Sequence, residues 1–194
     1  MPVVYLGLGS NLGDRAEMIA EACLWLQAVG VKLLAMSQLY ETEPWGITDQ
    51  PRFINAACAV ESTLAPHALL AAAKQIERSM GRVQTVRYGP RVVDIDILMY
   101  DQVEIVSESL IIPHPGMLNR ATVLVPLAEI APNLRHVRTG LRIEEHLQAL
   151  GPISGIAPFP PGLVSADGLP ADLILDRSAT AVRDSRPVWA GDTH

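Results

Sequence analysis

The stretch Val92-Val93-Asp94-Ile95-Asp96-Ile97-Leu98-Met99-Tyr100 alternates two sets of side chains. Val93, Ile95, Ile97 and Met99 make one fully apolar set, while Asp94 and Asp96 fall in the other with Val92 and Leu98. A period of two is that of a strand, whose successive side chains point to opposite faces. One face belongs in a core; the other carries two carboxylates. Working back from it, residues 82–90 are polar and glycine-containing and predict a flexible loop. Pro66 suits the first turn of a helix whose buried side is Leu69, Ala73, Ile76 and Met80, with Gly81 as its stop. Residues 53–62 and 31–40 read as strands, separated by a loop over 41–51 rich in Pro, Gly and Asp. Asp14, with Glu17 three residues on, suits the start of a further helix that buries Ala16, Ile19, Cys23 and Leu26 and ends at Gly30. Residues 3–8 form an apolar strand ending at Gly9. The order β-α-β-β-α-β is an α+β, ferredoxin-like sandwich. Additional C-terminal elements are expected: a strand over 103–106 and short helices or turns over 123–131 and 143–150.

The chain has 194 residues, 49% hydrophobic and 19% charged, enough apolar material for a packed core. No apolar run reaches the roughly 18 residues of a membrane span, and the first residues lack the basic and small-residue marks of a secretory signal. A cytoplasmic monomer is expected. Cys23 and Cys58 sit in apolar periodic contexts and predict buried thiols. From residue 151 the composition turns to Pro, Gly and Ser. This divides the chain into a domain at 1–150 and an extension at 151–194, loosely ordered, with Leu173-Ile174-Leu175 as a possible added strand.

The net charge of −6 argues against nucleic-acid affinity. Residues 74–91 run against it, with Lys74, Arg78, Arg82, Arg87 and Arg91 facing Glu77 alone. A basic stretch in an acidic chain predicts an anionic ligand. Asp94 and Asp96, two apart on a strand, lie roughly 7 Å apart on one face. Such a pair is costly unless a cation lies between them. Oxygen-only ligands suit Mg²⁺, which takes the rest of its shell from phosphates and water, and two ions can share such a pair. Arg82, Arg87 and Arg91, with planar forks that match phosphate oxygens, complete a site for phosphoryl transfer.

The segment Arg87-Tyr88-Gly89-Pro90-Arg91-Val92-Val93-Asp94-Ile95-Asp96 resembles the signature of the 6-hydroxymethyl-7,8-dihydropterin pyrophosphokinase family of folate synthesis. So do Tyr5-Leu6-Gly7-Leu8-Gly9-Ser10-Asn11-Leu12-Gly13-Asp14, Glu41-Thr42-Glu43-Pro44-Trp45-Gly46 and Asp49-Gln50-Pro51-Arg52-Phe53-Ile54-Asn55-Ala56. Ile112-Pro113-His114-Pro115, Asn119-Arg120 and Val125-Pro126-Leu127-Ala128-Glu129-Ile130-Ala131-Pro132 extend the likeness over about residues 3–150. The resemblance implies transfer of diphosphate from ATP to the pterin hydroxymethyl group, with release of AMP. It also implies two Mg²⁺ on Asp94 and Asp96. Arg82 would aid the transition state and Arg91 the phosphates. Lys74, Glu77, Arg87, Tyr88, His114 and Arg120 would lie at the nucleotide.

The pterin half follows from the chemistry of a flat heteroaromatic ring, which needs aromatic faces and a few fixed hydrogen bonds. Phe53 and Asn55 share a strand face; Phe53 can stack, and Asn55 offers a donor and an acceptor to the ring edge. Thr42, Glu43 and Trp45 would complete the edge recognition. The family usually has an aromatic at the position of Thr122, so this chain's stack loses one wall, which Trp45 or Tyr88 would have to replace. Two other readings fit the aspartate pair: another Mg²⁺-dependent phosphoryl or nucleotidyl transferase, and a non-catalytic pterin- or nucleotide-binding module.

Overall fold

The structure, a computed structural model, describes residues 1–44, 46–83 and 89–160. The elements run β1 (Val3–Ser10), α1 (Arg15–Ala28), β2 (Lys32–Met36), β3 (Tyr40–Thr42), β4 (Phe53–Glu61), α2 (Pro66–Ser79), β5 (Asp94–Tyr100), β6 (Ile105–Val106), β7 (Ile111–Ile112), α3 (Ala121–Ile130), α4 (Ile143–Ala149) and β8 (Ile156–Pro158). The result is a mixed α and β fold around one antiparallel sheet. Its order is β5-β1-β4-β3-β8, with β2 also paired to β4. The short strands β6 and β7 form a separate hairpin.

The helices start and stop where their sequences say. Asp14 accepts a hydrogen bond from the Glu17 N–H at 3.1 Å and caps α1. Pro66 occupies the first turn of α2, and its missing N–H costs nothing there. Gly30 and Gly81 follow the two helices at φ of 85° and 90°, a conformation that glycine reaches without strain.

The alternation of the strands sorts the core into two layers. Leu6, Leu8, Ile54, Cys58, Ile95 and Ile97 pack beneath α1 and α2 with Ile19, Cys23, Leu69 and Ile76. Tyr5, Ala57, Ala59 and Leu98, on the other face, pack with Leu124 and Leu127 of α3 and Ile143 of α4. Cys23 and Cys58 are both free and buried, as the sequence predicts.

Three expectations need correction. The single strand over 31–40 is broken into β2 and β3. Ser37 causes the break: its N–H donates to the Ala57 carbonyl at 2.9 Å, and its hydroxyl, in place of a carbonyl, accepts from the Ala57 N–H at 3.0 Å. The register against β4 advances by one residue across it, from Met36↔Cys58 to Tyr40↔Asn55. The strand over 92–100 begins only at Asp94, because its partner β1 ends at Ser10 and Arg91 is taken up by Asn11 instead. The strand over 103–106 shortens to Ile105–Val106. Residues 156–158, within the Pro- and Gly-rich segment, add β8 to the main sheet against β3, pairing Thr42 with Ile156 and Tyr40 with Pro158. Leu173-Ile174-Leu175 lies outside the described residues.

Candidate functional site

On the α3 side of the sheet, from β5 across to β8, the side chains give way to a cavity of about 390 Å³. The strand registers explain the opening. Gly9 lies between Asp94 on β5 and Asn55 on β4, and Gly7 lies between Asp96 and Ala57. Directly opposed residues share a face, so two glycines bare the backbone between the carboxylates and Asn55. A Cβ at Gly9 would stand 3.1 Å from the Asn55 Oδ1, and one at Gly7 would stand 3.3 Å from the Leu98 side chain. With strands about 4.8 Å apart, Asp94 and Asn55 sit roughly 10 Å from each other across Gly9.

Asp94 and Asp96 lie on the cavity side, as their spacing predicts. Both oxygens of Asp94 are engaged: Arg82 Nη1 donates to Oδ1, and Arg91 Nη1 donates to Oδ2 at 2.5 Å. Lys74 Nζ lies 3.7 Å from the same Oδ1. Glu77 gathers this group from below. Its buried carboxylate accepts from Lys74 Nζ at 2.7 Å, from Arg82 Nη1 at 2.7 Å and from the Ile95 N–H at 2.8 Å. Burial pushes the Asp94 carboxyl up, yet Arg91, Lys74 and Arg82 outweigh it and hold it below the usual range. Asp96 goes the other way: burial and the neighbouring Asp94 charge raise it. Glu77 is raised too, chiefly by burial, which the cations offset only in part.

Arg91 joins the two ends of the cavity. Its guanidinium lies 5.5 Å from the centre of the Phe53 ring. Its backbone is held by Asn11, whose Oδ1 accepts from the Arg91 N–H at 2.8 Å and whose Nδ2 donates to Gln50 Oε1 and the Pro51 carbonyl. The Arg91 Nε is buried with no partner among the described residues. A buried donor without an acceptor is costly, and a phosphate oxygen in the cavity would supply one.

At the β4 and β3 side of the cavity, Thr42, Glu43, Phe53 and Asn55 all line it with Thr122. The Asn55 Nδ2 donates to Thr42 Oγ1 at 2.7 Å, which leaves its second amide proton and its carbonyl for a ligand. The Glu43 N–H is already spent on the Gly155 carbonyl at 3.0 Å. Its exposed carboxylate pairs with Arg52 at 3.2 Å. Before α3, the Gly116 N–H donates to His114 Nδ1 at 3.2 Å, which puts the proton of the neutral ring on Nε2. Burial lowers the His114 pKa, with Asp96 opposing and Arg120 adding to it, which disfavours the charged ring. Arg120 lines the cavity and lies across Gly116, where a Cβ would meet its guanidinium at 3.1 Å. Trp45, Arg87 and Tyr88 lie outside the described residues.

Sequence reading left Asn11 without a role and missed residues 154–156, which form part of the cavity wall. The polar Asn11 directly after an apolar strand was a usable signal for the first. Nothing local marked the second.

The donor set fits Mg²⁺. Among the described residues no group of three or more His, Cys, Asp or Glu is placed to hold a metal by itself. Two hard carboxylates with cationic neighbours suit an ion that completes its shell from phosphates and water.

Residues 5–132 match the 7,8-dihydro-6-hydroxymethylpterin-pyrophosphokinase (HPPK) family. The 2-amino-4-hydroxy-6-hydroxymethyldihydropteridine pyrophosphokinase of Methylorubrum extorquens is 50% identical over 157 residues, 80% of this chain and 98% of that protein. The Bacillus subtilis protein of the same name is 40% identical over 144 residues, 74% of this chain and 86% of that one. The folic acid synthesis protein fol1 of Pneumocystis carinii is 45% identical over 76% of this chain, which spans only 20% of that protein. A crystal structure of an HPPK-DHPS in complex with substrates superposes with a TM-score of 0.64 at 16% identity, over 76% of this chain and 43% of that one. The chain belongs to the 7,8-dihydro-6-hydroxymethylpterin-pyrophosphokinase family.

Proposed function

We propose that this chain transfers a diphosphate group from ATP to the hydroxymethyl group of 6-hydroxymethyl-7,8-dihydropterin, releasing AMP, in folate synthesis. It is an ATP-dependent pyrophosphokinase, as its family membership requires. The observation that carries the reading is the layout of one cavity. Asp94, backed by Arg82, and Asp96 lie at one end, Phe53, Asn55 and Thr42 lie toward the other, and Arg91 stands between them.

In the reaction the acceptor hydroxyl oxygen bonds to the β-phosphorus, the bond from that phosphorus to the α-bridging oxygen breaks, and the hydroxyl proton leaves. Such a transfer asks the protein mainly for positioning and charge. Asp94 and Asp96 would hold Mg²⁺, which neutralises the charge of the transferring phosphates when bound; two ions is our reading. Arg91, whose Nε lacks an acceptor, turns to the phosphates. Arg82, held by Glu77, stays beside the reacting group. The neutral His114 donates from Nε2 to a nucleotide oxygen beside Arg120, and Lys74 and Glu77 border the same subsite with Arg87 and Tyr88. The ring stacks on Phe53, replacing the Arg91 contact, and bonds at its edge to Asn55 beside Thr42. Glu43 and Trp45 complete that side.

The strand order β5-β1-β4 with β2 and β3 beyond, crossed by α1 and α2, supports a ferredoxin-like core with C-terminal additions. A monomeric, cytoplasmic enzyme is the reading that composition supports, with a domain that runs past residue 150 to take in β8. No helix among the described residues is long and apolar enough to cross a membrane.

The test is to incubate the purified chain with ATP, Mg²⁺ and the pterin and to assay the nucleotide products, with D94A/D96A as control. AMP that requires both the pterin and the carboxylates is expected. ADP in place of AMP would overturn diphosphate transfer in favour of ordinary phosphoryl transfer. Ligand binding without turnover would leave a binding module.

A further inference from the structure

The last strand of the described chain lies at the end of the cavity away from the carboxylates. Phe53 on β4 pairs with Thr42 on β3, and Thr42 pairs with Ile156 on β8. The three residues form one lateral row on one face of the sheet, and all three line the cavity. Ile156 sits about two strand spacings, roughly 10 Å, from Phe53. A flat ring lying on Phe53 with its edge at Asn55 and Thr42 would end against Ile156.

The strand that carries Ile156 is held by other means. The Glu43 N–H donates to the Gly155 carbonyl at 3.0 Å, and the Phe159 N–H donates to the Leu39 carbonyl at 2.7 Å. Phe159 packs against the core under α1 and α2, and the Arg15 guanidinium lies over its ring at 5.6 Å. Arg15 in turn bonds Glu41 and the Arg52 carbonyl, each at 2.9 Å. Gly155, at φ 71°, leaves room for the Glu43 side chain, which a Cβ there would approach to 3.1 Å. None of these ties uses the Ile156 side chain, which is half-buried and faces the cavity. It also lies beyond the residues 5–132 that match the family.

We propose that Ile156 is a specificity-determining residue of this chain, closing the ring subsite and setting the size of the heteroaromatic acceptor it admits. The proposal rests on the assignment of the Phe53–Asn55 end to the ring. Pocket residues of this kind discriminate by roughly 10-fold or more for a small change in apolar bulk.

The experiment measures steady-state AMP formation by the full chain with pterin and ATP varied separately, together with direct ring binding by pterin fluorescence. The variants are I156V, I156A and I156W, with thermal unfolding recorded for each. I156A is expected to raise the KM for the pterin about 10-fold, with kcat and the KM for ATP within about 2-fold of the parent. I156V should move the same way by less, and I156W should abolish ring binding while nucleotide binding persists. I156A should also admit a pterin bearing an added alkyl substituent better, relative to the natural ring, than the parent does. A role confined to holding the strand would not produce that last change. Parental pterin KM in both I156A and I156W overturns the proposal, and so does an equal loss for pterin and ATP. If the parent chain binds no pterin, the assignment of the ring subsite falls and this inference falls with it; unchanged variants of an active parent overturn this inference alone.

Discussion

Asp94 stands at the focus of three cations, with Arg82 on one oxygen, Arg91 on the other and Lys74 3.7 Å away. Asp94→Asn keeps the shape and removes the charge. It is expected to lower kcat/KM for diphosphate transfer by at least about 100-fold, read from AMP release, because the carboxylate proposed to hold Mg²⁺ and the anchor of two arginines go together. Glu77 works through its neighbours. With its side chain 3% exposed, it is the acceptor for the buried Ile95 N–H as well as the partner of Lys74 and Arg82. Glu77→Ala should cost about 1–3 kcal/mol in stability, seen as a lower urea midpoint, because that N–H loses its acceptor. The two cations keep access to water and add little. At this scale the chemistry was legible where it is local in the chain. Arg91 to Asp94 spans one strand mouth, and a period of two aims both carboxylates the same way. Asn11 was not legible, because its partners Gln50 and Pro51 lie 39 and 40 residues away and meet it only once β1 and β4 have paired.

Between α3 and α4 a loop buries His136, with the Nδ1 lacking a partner among the described residues and the ring packed edge-on to His146 at 5.7 Å. Burial lowers its pKa from the usual 6.5, and His146 and Arg138 lower it further while Glu104 opposes them. The unfolded chain therefore binds a proton here that the folded chain refuses, in the window below pH 6.5. Stability from this site is complete above that pH and is lost as pH falls, with a slope of at most about 1.4 kcal/mol per pH unit. Denaturant midpoints measured from pH 7.5 down to 5 should fall, and more steeply than in a His136→Phe variant. Elements with a repeating pattern were readable: α1 from Asp14, α2 from Pro66, and β5 from its alternation. The break between β2 and β3 was not, because it depends on a Ser37 hydroxyl replacing a carbonyl opposite Ala57, and a strand-like run of apolar residues conceals it. β8 was hidden for the opposite reason. Prolines and glycines, which weigh against a strand, flank an edge segment that pairs with one neighbour only.

Across the whole molecule the site extends over five strands, from Asp94 on β5 to Ile156 on β8, and the chain reaches those edges at different times. Phe159→Ala should lower stability by about 1–3 kcal/mol, the cost of uncovering a partly buried aromatic and its Arg15 contact. A chain ending at Pro152 should unfold at lower denaturant than one ending at Pro160 and should lose pterin turnover, whereas the chain ending at Pro160 should retain both. Unfolding curves and AMP release measure the two effects side by side. Gly7, Gly9, Arg82, Arg91, Asp94 and Asp96 all precede residue 97 in the chain, and Arg120 follows on the way to α3. Ile156 comes much later. If Ile156 is the wall proposed above, a chain that stops short of β8 keeps Asp94, Asp96, Arg82 and Arg91 and loses its means of choosing among acceptor rings.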